Sequence, residues 1–251
     1  WAAAAVLTKP QSLLLAPLWA VCLLWRCDLR RCTRGFAAAA AAALLICGPY
    51  LLLGAAAGIW DSLLGAVGKY PVVHLNGFSA WFLLNPMTEP RLDALSALYR
   101  RDTTAWLAGL TPRAIGLMTL AVVAALVVWI IWRRRGRPPV LRWAACVLPL
   151  AFFLLPTQMH ERYLFPAVAL WAWACVPRVS WCVGWLLVSL TAFLNMAWAW
   201  PQRGVWDEIG GPMAGILFGD PLGQPAGVWC ALALLALLVW MFSRGLRSRF
   251  T

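Results

Sequence analysis

Seven apolar runs, near residues 10–25, 36–57, 114–132, 139–156, 164–177, 179–199 and 227–243, dominate this chain and limit what it can fold into. A helix needs about 20 apolar residues to cross a bilayer, and the hydrocarbon forces each backbone amide and carbonyl to pair within its own segment. The expected fold is therefore all-α: a polytopic transmembrane helix bundle of about seven spans. Several runs are short, so tilt or burial among other helices has to accommodate them. Composition excludes an ordinary soluble domain, since 63% of the 251 residues are hydrophobic and only 12% charged, against about 45–50% apolar in soluble domains.

A net charge of +12 would point to nucleic acid in a soluble protein. Here the arginines stand in short clusters beside the apolar runs, as the positive-inside rule requires. Arg26, Arg30, Arg31 and Arg34 follow the first run, and Arg133, Arg134, Arg135, Arg137 and Arg142 follow the third. Arg178 follows the fifth; Arg244, Arg247 and Arg249 follow the seventh. Alternate connections are thus basic, which assigns them to the cytoplasm. The long connection 58–113, the turn at His160-Glu161-Arg162, the connection 200–226 and the start of the first span at Lys9 are expected on the other side.

Connection 58–113 carries five basic and four acidic residues. Its apolar stretches, Trp60 to Ala66, Val72 to Leu84 and Leu92 to Leu98, lie between the breakers Pro71, Pro86 and Pro90 and predict short interfacial helices. Trp60, Trp81 and Trp106 suit the aromatic belt at a headgroup boundary. The run Ala37 to Ala43 favours a helix and permits close helix packing without carrying chemistry. The eight cysteines lie in or beside the spans without the spacing of a zinc site or disulfide framework, and read as small buried hydrophobes. The chain opens at Trp1 without a basic segment and cleavage site. It is expected to be a single transmembrane domain, 1–251, forming the carboxy-terminal part of something longer.

Two polar constellations fall on the expected external side. In Thr8-Lys9-Pro10-Gln11, Pro10 suits a first helical turn, whose orphan amides together with Lys9 describe an anion site; the bland alternative is a lysine that snorkels to the interface. The segment Leu155-Pro156-Thr157-Gln158-Met159-His160-Glu161-Arg162-Tyr163-Leu164-Phe165-Pro166 places an imidazole, a carboxylate and a guanidinium between two spans. Ionisable groups at membrane depth cost roughly 2.5–3.5 kcal/mol each on insertion scales. The bland alternative there is a salt bridge at a loop. Adjacent helical residues point about 100° apart, so one helix cannot aim all three groups at one atom; Gln158 and Arg162 would share a face if the turn is helical. His160 and Glu161 are two ligands where zinc takes at least three from protein, and His74 is the only other histidine that could join them. No GxSxG, GxxxxGK, HExxH or GxGxxG motif occurs.

Lys9-Pro10-Gln11 with Leu13-Leu14-Leu15-Ala16-Pro17, and Met159-His160-Glu161-Arg162-Tyr163-Leu164-Phe165-Pro166, resemble the bacterial polytopic glycosyltransferases of the GT-C superfamily. The likeness is to mannosyltransferase-like proteins related to the second mannosyltransferase of GPI-anchor assembly. The segment Tyr70 to Trp81, with Asn76, resembles their external loop. The resemblance implies a GT-C-like bundle, a polyprenyl-phosphate sugar donor, a glycan, lipid or protein acceptor, an active site on the non-cytoplasmic face of a bacterial inner membrane, and inversion at the anomeric carbon. Mannose is the sugar most associated with the family. On this basis Lys9, Arg162 and His160 would hold the donor phosphate, Gln11 and Gln158 would orient it, and Tyr163 and Asn76 would join the substrate site. Glu161 would hold His160 or Arg162, bind sugar hydroxyls, or act as the base. Such enzymes carry their basic carboxylate in the first external loop, so the main base is expected upstream of Trp1 and the fragment alone is expected to be inactive. No cofactor is firmly implied, and a divalent metal has no support in the sequence. The rival expectations are a transporter or flippase of lipid-linked saccharides, whose charges would line several spans, and a non-catalytic membrane subunit.

Overall fold

A computed structural model describes residues 10–26, 28–64, 70–84, 101–176, 179–199 and 223–247. These residues are mostly helical and include no β-strand, only isolated bridges. Chain contacts divide the protein into two compact units: Trp1–Tyr70 with Val128–Leu141, and Pro71–Val127 with Arg142–Thr251.

In the first unit a 3₁₀ turn, Pro10–Leu15, runs into helix α1, Ala16–Arg26. Helix α2 spans Leu29–Leu52 and α3 spans Ala56–Leu64. The second apolar run predicts a helix from residue 36, with the arginines in the connection before it. The helix instead starts seven residues earlier, because Asp28 is its N-cap and accepts a hydrogen bond from the Arg31 backbone N–H at 2.7 Å. Arg30, Arg31 and Arg34 therefore lie in the opening turns of α2. The helix ends before residue 57 because Gly54 adopts a left-handed φ of 73°, letting Ala55 N–H reach back to the Tyr50 carbonyl at 2.9 Å. No residue of α2 is buried, and Leu44, Leu45 and Leu52 are exposed. The Ala37 to Ala43 stretch is helical as expected, but packs no buried face.

The second unit holds the short α4, Ala80–Leu84, most of α5, Pro112–Arg133, most of α6, Pro138–Leu154, then a 3₁₀ turn, Glu161–Leu164. It continues with α7, Phe165–Cys175, α8, Val179–Ala199, and α9, Gly223–Arg247. Buried tryptophans tie these helices together by packing and by a single polar atom each, the usual arrangement for an indole in a core. Trp143 of α6 donates its indole N–H to the Met241 carbonyl of α9 at 2.8 Å. Trp171 of α7 donates to the Cys146 carbonyl of α6 at 3.3 Å. The Trp171 ring lies against Gly184 of α8, where any Cβ would overlap it. That contact explains why α7 and α8 pack closely, with Ala167, Trp171, Ala174 and Cys175 forming the buried face of α7.

Four helical segments are long and apolar enough to cross a membrane: Leu29–Leu52, Pro112–Arg133, Trp181–Ala199 and Ala226–Leu246. Two shorter apolar helices, Ser12–Trp25 and Pro138–Leu154, coincide with other expected runs. Helix α7 has 11 residues, about 16 Å at 1.5 Å per residue, roughly half a hydrocarbon core.

Connection 58–113 departs from a series of short helices. Ala56–Leu64 overlaps the first expected stretch, Trp60 to Ala66, at residues 60–64, residues 65–66 lying outside the described residues, but of Val72 to Leu84 only Ala80–Leu84 is helical. The strip before it is irregular, with isolated bridges only, and its Leu75 and Gly77 amides are taken by the distant Met159 carbonyl rather than by a helical ladder. Residues 92–98 and 200–222 lie outside the described residues.

Candidate functional site

The site is built where two segments some 80 residues apart are joined backbone to backbone. Leu75 and Gly77 both donate their N–H to the Met159 carbonyl at 3.1 Å, and Gln158 N–H donates to the Val73 carbonyl at 3.2 Å. Leu75 and Asn76 each bridge to His160. Asn76 turns the strip with φ 61°, a left-handed conformation that Asn tolerates better than most residues. Gly77 is needed because a Cβ there would stand 2.5 Å from the Met159 carbonyl oxygen.

Asn195, wholly buried near the end of α8, clamps this strip from the helix side. Its Oδ1 accepts from Phe78 N–H at 3.0 Å and its Nδ2 donates to the Asn76 carbonyl in a short bond. Below it, Phe78, Phe82 and Trp198 form an aromatic cluster with ring centroids 5.1–5.7 Å apart. Gly227 of α9 lies directly against the two phenylalanines. His74 is buried too, with its ring 5.4 Å from Phe82.

Trp81 is not a headgroup anchor. It is 5% exposed, and its indole donates to the Leu155 carbonyl at 2.6 Å, fixing the start of the bend that leads to Gln158. Trp60 and Trp106 are exposed; Trp106 meets Trp81 ring to ring at 5.9 Å.

The expected residues separate by role. Only Glu161–Leu164 is helical, so Gln158, with φ 64°, stands outside the turn and does not share a helical face with Arg162. Gln158 Nε2 donates to Asp102 Oδ2 at 2.7 Å. His160 occupies the N-cap position of the 3₁₀ turn without a side-chain capping bond, and its Nδ1 lies 3.5 Å from Glu161 Oε2, an ion pair only with a charged imidazole. Glu161 is 2% exposed, so its carboxylate acts on its neighbours rather than on solvent. The His160 ring stands edge-on to Tyr163 at 5.5 Å, and Tyr163 packs in turn on Phe152 at 6.3 Å. Arg162 is exposed at the surface of the turn. Lys9 lies outside the described residues, as does the side chain of Gln11, whose backbone belongs to the Pro10–Leu15 turn. Among the described residues no three His, Cys, Asp or Glu side chains gather as a metal-ligand set.

Two residues that hold the site do not stand out in the sequence. Asn195 has a signal, being an amide inside an apolar run. Asp102 has a weaker one, as one of nine acidic residues and 11 positions before Arg113. Its other partners, Thr157 and Gln158, are 55 and 56 positions away, beyond any local pattern. No protein-family model, curated protein or solved structure significantly matches this chain.

Proposed function

We propose that the protein is a membrane glycosyltransferase that moves a sugar, mannose first among the candidates, from a polyprenyl-phosphate donor to an acceptor on the non-cytoplasmic face. The observation that carries this reading is the pairing of Leu75, Asn76 and Gly77 with Met159 and His160. The two stretches concerned, Tyr70 to Trp81 and Met159 to Pro166, both carry the GT-C resemblance. Seven crossings of a bacterial inner membrane belong to the same proposal. It is supported by four helices of sufficient length and apolarity, and by the meeting of segments 71–82, 101–113 and 155–163 that the arginine pattern assigns to one side.

In such a transfer the acceptor hydroxyl loses a proton to a carboxylate as it attacks the anomeric carbon, and the departing phosphate needs cationic partners where charge develops. Exposed Arg162 and the adjacent His160 are the candidates for that phosphate, with Glu161 holding the imidazole. Lys9 keeps the phosphate role the resemblance implies, and Asn76 and Tyr163 flank His160 as candidate substrate contacts. Gln158 is assigned away from substrate, because its amide serves Asp102.

The test is transfer of radiolabelled hexose from a polyprenyl-phosphate donor by membranes containing the full-length protein. Arg162→Ala and Lys9→Ala should each abolish transfer at unchanged membrane levels; an exposed arginine contributes within about 0.5 kcal/mol to folding. Full activity in both variants overturns the phosphate assignment.

A further inference from the structure

Asp102 is wholly buried and its carboxylate is filled. Oδ2 accepts from Arg113 Nε at 3.0 Å, from Thr157 Oγ1 at 2.8 Å and from Gln158 Nε2 at 2.7 Å, while Oδ1 accepts from Arg113 Nη2 at 3.0 Å. The backbone is engaged as well: Asp102 N–H donates to the Pro71 carbonyl at 3.2 Å, and its carbonyl accepts from Arg113 N–H at 3.1 Å. One residue thus gathers the start of the 71–79 strip, the first turn of α5 and the bend before His160. A carboxylate this enclosed cannot reach an acceptor hydroxyl without breaking bonds to its present donors, so a general-base role does not fit it.

Its influence passes through Gln158. A glutamine with φ 64° is disfavoured relative to glycine, and here the conformation is held by its side-chain bond to Asp102 and its N–H bond to Val73. His160 follows two residues later, already paired to Leu75 and Asn76. The turn at 158 therefore sets where His160 and Arg162 stand.

We propose that Asp102 is the positioning residue of this site, latching the left-handed turn at Gln158 so that His160 and Arg162 are presented together. The consequence for catalysis rests on the transferase reading; the latch itself does not. Asp102→Asn keeps the shape but replaces one acceptor oxygen with a donor, so at least one of Arg113, Thr157 and Gln158 loses its partner. Gln158→Gly added to that variant supplies the left-handed preference without a side-chain bond.

In the full-length protein, hydrogen exchange measured by mass spectrometry should be about tenfold faster in Asp102→Asn for peptides covering 71–79 and 156–163, and unchanged in α6 and α8. Sugar transfer should fall up to about 100-fold, the scale of a misplaced reacting group. The double variant should recover most of both. Unchanged exchange in both Asp102→Asn and Asp102→Ala, the second of which leaves Gln158 Nε2 no acceptor oxygen, overturns the latch. So does faster exchange spread through α6 and α8 that Gln158→Gly fails to reverse, since that marks a general structural role. If local exchange rises and is rescued while the unsubstituted protein transfers no sugar, the latch stands and the transferase reading falls.

Discussion

Replacing Asn195 with alanine tests whether the loop bearing Asn76 is held by a polar clamp or by the aromatic packing beneath it. The side chain is wholly buried and makes two bonds, accepting from Phe78 N–H and donating to the Asn76 carbonyl. Polar contacts between membrane helices average about 0.6 kcal/mol and reach about 1.7. Leaving a buried amide unsatisfied costs about 1–3 kcal/mol more. Two lost bonds and an orphaned Phe78 N–H therefore add to about 2–4 kcal/mol. A small cavity would contribute to the same loss, which Asn195→Leu separates: leucine restores the volume but leaves the same orphans, so it should fall within about 1 kcal/mol of the alanine variant. The measurement is reversible unfolding of the full-length protein in mixed micelles with rising dodecyl sulfate, followed by tryptophan fluorescence. Asn195→Leu as stable as the unsubstituted protein would mean that packing alone holds the strip, and the clamp argument fails.

Two further substitutions probe backbone geometry. Gly184→Ala should destabilise by about 1–3 kcal/mol in the same assay, because the added methyl meets the Trp171 ring, which its bond to the Cys146 carbonyl keeps from moving; an unchanged unfolding midpoint counts against that close packing. At Asn76, φ 61° tolerates glycine but not a β-branched side chain, so Asn76→Gly should stay within about 0.5 kcal/mol of the parent while Asn76→Val loses about 1–2 kcal/mol. Equal stabilities would show that the left-handed turn is not maintained in the folded protein.

Apolar runs are enough to announce helices at each of the seven expected positions, and four of those helices are long and apolar enough to cross a membrane. Boundaries are less legible. Asp28 moves the start of α2 back among its arginines through a single cap bond, and Gly54 ends it early by its backbone conformation. The Val72 to Leu84 stretch is apolar enough to suggest a helix, yet most of it is not helical, since backbone partners of Leu75 and Gly77 lie at Met159 and no local pattern records them.

The sequence alone determined that the described residues are mostly helical, with apolar segments long enough to cross a membrane, and singled out the candidate cluster His160-Glu161-Arg162; both follow from local composition and the properties of single side chains. Tertiary structure decided how that cluster is arranged: Glu161 buried beside His160, Arg162 exposed, Gln158 committed to Asp102, and Trp81 inside rather than at an interface. The physical reason is range. Hydrophobicity and charge act at the residue that carries them, whereas hydrogen-bond satisfaction is a property of pairs, and the pairs that tie Asp102 to the 157–158 bend and Asn195 to the 76–78 strip are 55 to 119 positions apart.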